Sequence, residues 1–173
     1  MSGAMQAEDK SLRYITVIAF AYVILTLPAL FFSGCSPVEQ TNEISRIKDV
    51  IVRYNRVMIA AARTGDVEPL KGLAAEAVVR KLYFWIAAWQ DSNSYMDAVL
   101  KDIKVTSVVI KGTTAKALSA EEWYYEYRSL KDRSTVSPAS GMYYEMEYTL
   151  QKNERAWTIS DIRILSQKRQ EIK

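Results

Sequence analysis

The chain has 173 residues, of which 49% are apolar and 25% charged, and its net charge is +3. This composition is typical of a globular domain, and the near balance of basic and acidic residues disfavours a nucleic-acid-binding protein, which needs a concentrated basic patch. The chain has no histidine and a single cysteine, Cys35. It therefore lacks His-dependent triads, His-ligated metal sites and a disulfide framework, so we expect no cofactor or metal and favour a protein without catalysis.

An uncharged segment, residues 14–34, leads up to Cys35. Its first 19 residues, 14–32, would form a helix of about 28 Å, which is enough to cross the hydrocarbon core of a membrane. The pattern has two interpretations. Residues 1–34 are either a signal peptide that is removed after export or a retained transmembrane helix.

The tetrapeptide Phe32-Ser33-Gly34-Cys35 resembles the lipobox of bacterial lipoproteins, although Phe32 stands where that family usually has Leu, Val or Ile. The resemblance implies lipidation of Cys35, with fatty acyl chains such as palmitate, and cleavage of the signal peptide before it. Two or three acyl chains hold a protein stably on a membrane. We favour the lipoprotein over the retained span, and either reading places the remaining residues on the far side of a membrane, in the periplasm or outside the cell.

Beyond a predicted tether, residues 35–42, the apolar side chains recur every three or four residues, at Ile44, Ile47, Ile51, Tyr54, Met58 and Ala61. This spacing predicts a helix over residues 43–64, capped by Thr41 or Asn42 and followed by Gly65. Asp66 is predicted to cap a second helix, with an apolar face at Leu70, Leu73, Ala77 and Val78. Helical spacing continues through Leu82, Trp85, Ile86 and Trp89 to a turn at residues 91–94.

After this turn the apolar pattern changes to the alternation that is typical of strands. Four strands are predicted, over residues 104–110, 114–127, 142–151 and 156–165, with a loop at residues 131–141. A β-bulge near Ser160 and Asp161 would turn Trp157, Ile159, Ile162 and Ile164 toward the core. Residues 167–173 are predicted to be a charged tail. Helices followed by strands predict an α+β domain over residues 43–166, with the helices packed on an antiparallel sheet of about four long strands.

Four short segments of this domain resemble the nuclear transport factor 2-like superfamily: residues 65–70, Glu122-Trp123-Tyr124, Tyr148-Thr149-Leu150 and Trp157-Thr158-Ile159. The resemblance implies a cone, in which the helices pack on a curved sheet. Within the superfamily the chain is similar to bacterial lipoproteins and to the intermembrane-space domain of chloroplast division proteins. Members bind small apolar ligands in the cone, catalyse isomerisation or dehydration there, or serve as interaction modules.

Seven side chains are candidates for lining a pocket between the helices and the sheet: Trp85, Trp89, Trp123, Tyr125, Tyr144, Met146 and Tyr148. The alternative, which the sequence favours, is that they fill a tapered core. No inward acid stands out. Asp161 is the nearest candidate for a catalytic base, and as a bulge residue it is expected to face solvent.

The remaining acids are predicted to be exposed and paired with Lys or Arg across the sheet: Glu121, Glu122, Glu126, Glu145 and Glu147. The loop at residues 131–141, with Arg133, Ser134 and Pro138, is a candidate for contact with a protein partner, or else a plain hairpin connection.

These observations favour a membrane-anchored extracytoplasmic binding or scaffold domain of a bacterial cell envelope. It would be a lipoprotein without catalysis, with a protein partner in the envelope. One alternative is a scaffold subunit with an uncleaved span, similar in layout to the inner-membrane component of type IV secretion machines. The other is a protein that binds a small apolar ligand, or an isomerase-like enzyme, using the cone.

Overall fold

A computed structural model describes residues 37–154 and 156–170. The predicted anchor at residues 14–34, the lipobox-like tetrapeptide and Cys35 lie outside this part of the chain. Among the described residues, no helix is long and apolar enough to span a membrane. Contacts divide the chain into two units, residues 1–39 and 40–173.

Two helices, a short 3-10 helix and four strands follow one another along the chain. Their bounds are α1 Pro37–Thr64, the 3-10 helix Glu68–Leu70, α2 Glu76–Asp91, β1 Ser94–Lys111, β2 Thr114–Ser129, β3 Thr135–Asn153 and β4 Ala156–Gln170. The strands form one antiparallel sheet in the order β1-β2-β3-β4. Side chains from both helices share one core with the sheet, so the predicted α+β class is confirmed.

The apolar stripe predicted for α1 faces the core, with Ile47 and Ile51 fully buried. The helix ends as predicted: Gly65 has a φ of +82°, and its N–H donates to the carbonyl of Ala61 at 2.8 Å. Its start is earlier than predicted, at Pro37, so residues 37–42 are helical and Thr41 and Asn42 do not cap the helix. Residues 39–42 are exposed, which leaves no apolar periodicity to detect, and proline is well suited to a first helical turn.

The second predicted helix does not run from Asp66. The Asp66 carboxylate accepts a hydrogen bond from the Glu68 N–H at 3.0 Å and supports only the 3-10 turn. Gly72, with a φ of +87°, then redirects the chain into an extended stretch beside β4. There the N–H of Ile159 donates to the carbonyl of Leu73 at 2.9 Å, and the carbonyl of Ile159 accepts the N–H of Ala75 at 2.7 Å. These long-range bonds outweigh local helix propensity, and α2 begins at Glu76 with Ala77 exposed.

The strands are longer than the alternation predicts. β1 begins ten residues early, at Ser94, because charged residues such as Asp97 and Lys101 hide its pattern. β3 begins at Thr135, so most of the predicted loop is strand. Pro138, which has no N–H to donate, lies between the paired residues Ser137 and Ser140, at a shift in register, where a proline is tolerated. β4 continues to Gln170, so residues 167–170 pair with β3 instead of forming a tail.

The predicted β-bulge in β4 is confirmed. Thr149 pairs with Asp161 and Leu150 with Ile159, which leaves Ser160 as the extra residue. The bulge allows residues of both parities to face the helices: Trp157 and Ile159 are buried and Ile162 packs partly against the core. Ile164, however, is 52% exposed and does not join the core.

Trp157 closes the core beside the first half of α1. Its indole N–H donates to the Glu43 carboxylate at 2.6 Å, and Lys152 and Arg46 each lie 3.1 Å from the same group. The Trp157 hydrogen bond, together with the two cations, lowers the pKa of Glu43 below its usual value, although burial opposes the shift. Glu43 thereby links α1 to the turn between β3 and β4.

We expect Glu43→Gln to destabilise the protein by about 1 kcal/mol at neutral pH, because a charge-assisted hydrogen bond becomes a neutral one. A lowered folded-state pKa adds stability above the unfolded pKa of about 4.5, and this stability is lost as pH falls through the folded value. In urea unfolding, the difference from wild type should therefore shrink between neutral pH and pH values below about 4.5. Glu76→Gln, which changes an exposed acid, should have little effect at either pH; a constant deficit for Glu43→Gln would contradict the assignment.

Candidate functional site

A cavity of about 570 Å³ lies between the helices and the inner face of the sheet. Of the twenty residues that line it, eight are aromatic and three are methionines. All seven residues singled out from the sequence are on its wall: Trp85, Trp89, Trp123, Tyr125, Tyr144, Met146 and Tyr148. Tyr54, Tyr127, Met58 and Met96 complete its aromatic and sulfur-containing lining.

Several of these side chains border open space, whereas Tyr148 belongs to the packed core, so the aromatic residues do not only fill a tapered core as expected. The change from packed core to open cavity occurs along β2. At one end of this strand the inward residues Ala115 and Ala117 are small and fully packed. Farther along, the inward rings of Tyr125 and Tyr127 meet edge to face with centroids 6.4 Å apart, and Tyr127 meets Trp89 in the same way at 5.7 Å. Edge-to-face contact is a preferred arrangement of aromatic pairs, and here it joins these rings into one wall of the cavity.

Glu121 is the one carboxylate in the wall that is buried, with 1% of its surface exposed. One carboxylate oxygen accepts hydrogen bonds from the hydroxyls of Ser119 and Tyr148, both at 2.7 Å. The other accepts the indole N–H of Trp123 at 2.9 Å. The sequence-based placement of Glu121 on the exposed face is therefore wrong. Its even spacing from Trp123 and Tyr125, which were predicted to face inward, was the signal that could have located it.

A directed chain of hydrogen bonds ends at Glu121. The side-chain amide of Asn55 donates to the carbonyl of Ile51 at 3.2 Å and to the hydroxyl of Tyr148 at 3.0 Å, and Tyr148 in turn donates to Glu121. Burial, followed by the charge of Glu121, raises the pKa of Tyr148 well above its usual value. The same two causes raise the pKa of Tyr54 to about 12. Both phenols are therefore held as neutral hydroxyls.

Asp161 also lines the cavity, although the bulge was expected to turn it toward solvent. Its side chain is 44% exposed and lies 3.8 Å from the ammonium of Lys81, which is also on the wall. Asp161 is thus a solvated acid at the cavity and not a buried base. Within residues 37–154 and 156–170, no group of acids or other ligand residues is arranged to hold a metal ion.

Of the acids predicted to pair with Lys or Arg across the sheet, Glu147 does so, whereas among the described residues Glu122 and Glu145 form no ion pair and the partner of Glu126 is on its own strand. Glu147 contacts Lys116 on β2 and Arg163 on β4, and the hydrogen bond from Arg163 is the main cause of its lowered pKa. Glu145 accepts a hydrogen bond from Ser166 at 2.8 Å, and Glu126 pairs with Arg128. The paired carboxylates of β3 are therefore structural surface groups.

The three residues proposed for partner contact are exposed and do not line the cavity. Arg133, with a φ of +59°, and Ser134 belong to the turn before β3, whereas Pro138 lies within that strand. The sequence predicts that the three residues share one loop, but in the structure they do not. Their role in partner binding stays a prediction.

No protein-family model matches the chain, and a search of curated proteins gives no match. Among solved structures, the chain is similar to the crystal structure of the intermembrane space region of the chloroplast protein ARC6. The TM-score is 0.62 at 15% sequence identity, over 69% of this chain and 94% of that one. This similarity shows a shared fold, in keeping with the resemblance seen in the sequence; the nuclear transport factor 2-like assignment stays a prediction.

Proposed function

We propose that the domain binds a small, largely apolar ligand in the cavity between its helices and sheet, and that it does so while anchored outside the cytoplasm of a bacterial cell. The observation that carries the binding proposal is the open volume of about 570 Å³ behind a wall of aromatic rings. Ligand pockets commonly measure about 300–1,000 Å³, are mostly apolar and contain a few polar groups that orient the ligand. Here those groups are Asn55, Glu121 and the tyrosine hydroxyls.

The exposed apolar surface supports this assignment. Trp85 is on the cavity wall but 62% exposed, and Ile164, also on the wall, is 52% exposed. Large apolar side chains exposed beside an open cavity are better explained by an occupant than by core packing. An occupant that contacts them would remove this surface from water, which contributes about 25 cal/mol per Å² of apolar surface buried.

We expect Trp85→Ala to weaken ligand binding about five- to tenfold, because one aromatic contact contributes roughly 1–1.5 kcal/mol. The neutral probe 3-phenylpropan-1-ol would be titrated calorimetrically into the full chain in lipid nanodiscs, with empty nanodiscs as the blank. Phe84→Ala is the matched control, since Phe84 is the adjacent residue, is 61% exposed and does not line the cavity. Equal losses in the two variants, or no binding to the wild type, would contradict the proposal.

The anchoring part of the proposal is supported by the sequence before the domain, namely the uncharged residues 14–34 and the lipobox-like Phe32-Ser33-Gly34-Cys35. In cells fed a labelled fatty acid, we expect label on the wild-type chain and none on Cys35→Ser. The intact mass of the wild-type protein should be lower by the 34 removed residues and higher by the added acyl groups. An unlabelled wild type of full length would instead favour the retained span.

A second candidate function is proton transfer on the bound ligand, because Glu121 is a buried carboxylate beside a tyrosine hydroxyl. The family that the sequence resembles includes isomerases that use an acid with a tyrosine donor. Three donors already occupy Glu121, which favours a fixed charge over a base that must accept a proton. Deuterium exchange from solvent into a bound ketone, measured by mass spectrometry, would distinguish turnover from binding alone.

A further inference from the structure

We propose that the cavity selects an organic cation, an ammonium group carried on an apolar body, and that Glu121 is the residue that selects it. This inference rests on the proposed ligand-binding function and names the class of ligand for the same site. Its basis is the combination of one buried negative charge with walls made of aromatic rings.

The first step concerns the charge state of Glu121. Each of its three partners donates, and the indole N–H of Trp123 can only donate. At the other end of the chain, the side-chain NH2 of Asn55, which also donates to the carbonyl of Ile51, can only donate to Tyr148. With a donor fixed at each end, the chain Asn55–Tyr148–Glu121–Trp123 requires an acceptor at Glu121. The ionised carboxylate, which only accepts, meets this requirement.

The second step is that this charge has no cation beside it. All three donors to Glu121 are neutral, and among the described residues Glu121 takes part in no ion pair. The one basic residue on the cavity wall, Lys81, is 73% exposed and lies beside Asp161. With Glu121, Asp161 and Lys81 counted together, the cavity has a net charge of −1. A buried carboxylate without a cation is costly unless a ligand supplies one.

The third step concerns the rings. Eight aromatic side chains line the cavity, and the negative face of an aromatic ring attracts a cation within about 6 Å of its centroid. Quaternary ammonium groups are recognised in proteins by such aromatic walls. An anionic ligand, such as a fatty acid, would instead meet Glu121 at short range in a medium of low dielectric constant. The same site therefore favours cations and disfavours anions.

The test compares three probes that share an apolar body and differ in the head group: 3-phenylpropyltrimethylammonium, 3-phenylpropan-1-ol and 3-phenylpropanoate. Each is titrated calorimetrically into the full chain in nanodiscs of phosphatidylglycerol. We expect the cation to bind at least about tenfold more tightly than the anion, with the alcohol between them. Glu121→Gln should bring the cation-to-anion ratio below about threefold, and Glu145→Gln, the same change on the outer face, should leave it as in the wild type.

The outcomes separate the two proposals. If the alcohol binds and the anion binds as tightly as the cation, the cation inference is wrong and the ligand-binding function stands. If none of the three binds, both are wrong. The wild-type ratio, corrected for the attraction of each probe to empty nanodiscs of the same anionic lipid, is itself decisive, so the test does not depend on the folding of Glu121→Gln. Repeating the titration in phosphatidylcholine nanodiscs identifies the source of the natural cation. If the cavity takes a lipid head group, the choline head groups should compete and weaken binding of the soluble probe. If the natural ligand is a soluble amine, binding of the probe should be the same in both lipids.

Discussion

Leu150→Ala is expected to lower the free energy of unfolding by about 2–5 kcal/mol, the range for removing a fully buried leucine side chain. Leu150 is completely buried on the inner face of β3, among residues of both helices and of β4. The loss should appear as a lower midpoint in urea unfolding, with a slope close to that of the wild type.

Leu118→Ala is the matched control for that variant. Leu118 lies on the neighbouring strand β2, but it faces the other side of the sheet and is 37% exposed. We expect its replacement to cost about 0.5 kcal/mol or less. Similar losses for the two leucines would mean that the strands do not have the register described here.

Alkaline pH is expected to unfold the protein, because burial and the charge of Glu121 raise the pKa of Tyr54 to about 12 and raise that of Tyr148 well above its usual value. A pKa raised by folding adds stability below the unfolded value of about 10, and this stability is lost as pH rises through the folded value. For Tyr54 the two-unit shift corresponds to about 3 kcal/mol, most of which is lost by pH 12. Tyr148 adds to this loss.

Circular dichroism and tyrosinate absorbance, followed together from pH 9 to 12.5, would check this prediction. The absorbance of the buried tyrosines should rise only where the secondary structure is lost. Tyr54→Phe should move the unfolding midpoint to higher pH, since one of the tyrosines whose pKa is raised by folding is gone. Full ionisation of all eleven tyrosines before any loss of structure would rule out their burial in the wall and core.

The sequence predicts the elements of this fold better than their extents. The alternation in β3 and the stripe of α1 are read correctly because one face of each is buried. The stretch from Leu73 to Ala75 is predicted wrongly as helix, because its conformation is set by hydrogen bonds to Ile159, more than eighty residues away. Local patterns contain no information about such a partner.

The aromatic lining of the cavity is identified from the sequence, but the empty space and Glu121 are not. Helical spacing and strand alternation place the seven lining residues on inward faces. These patterns cannot distinguish a filled core from an open one, since that depends on how far apart the helices and the sheet lie. Glu121 was assigned to the surface because acids are rarely buried. Its position two residues before the inward residue Trp123 places it on the inner face of β2. The three groups that donate hydrogen bonds to it also lie at inward positions of β2 and β3.

The most direct test of the cavity as a binding site is methyl NMR of the full chain in nanodiscs, with ¹³C-labelled methionines. Met58, Met96 and Met146 line the cavity, whereas Met142, on the same strand as Met146, does not. On addition of 3-phenylpropyltrimethylammonium we predict saturable shifts of the three cavity signals and none at Met142. Unmoved signals for Met58, Met96 and Met146, or shifts confined to Met142, would contradict ligand binding between the helices and the sheet.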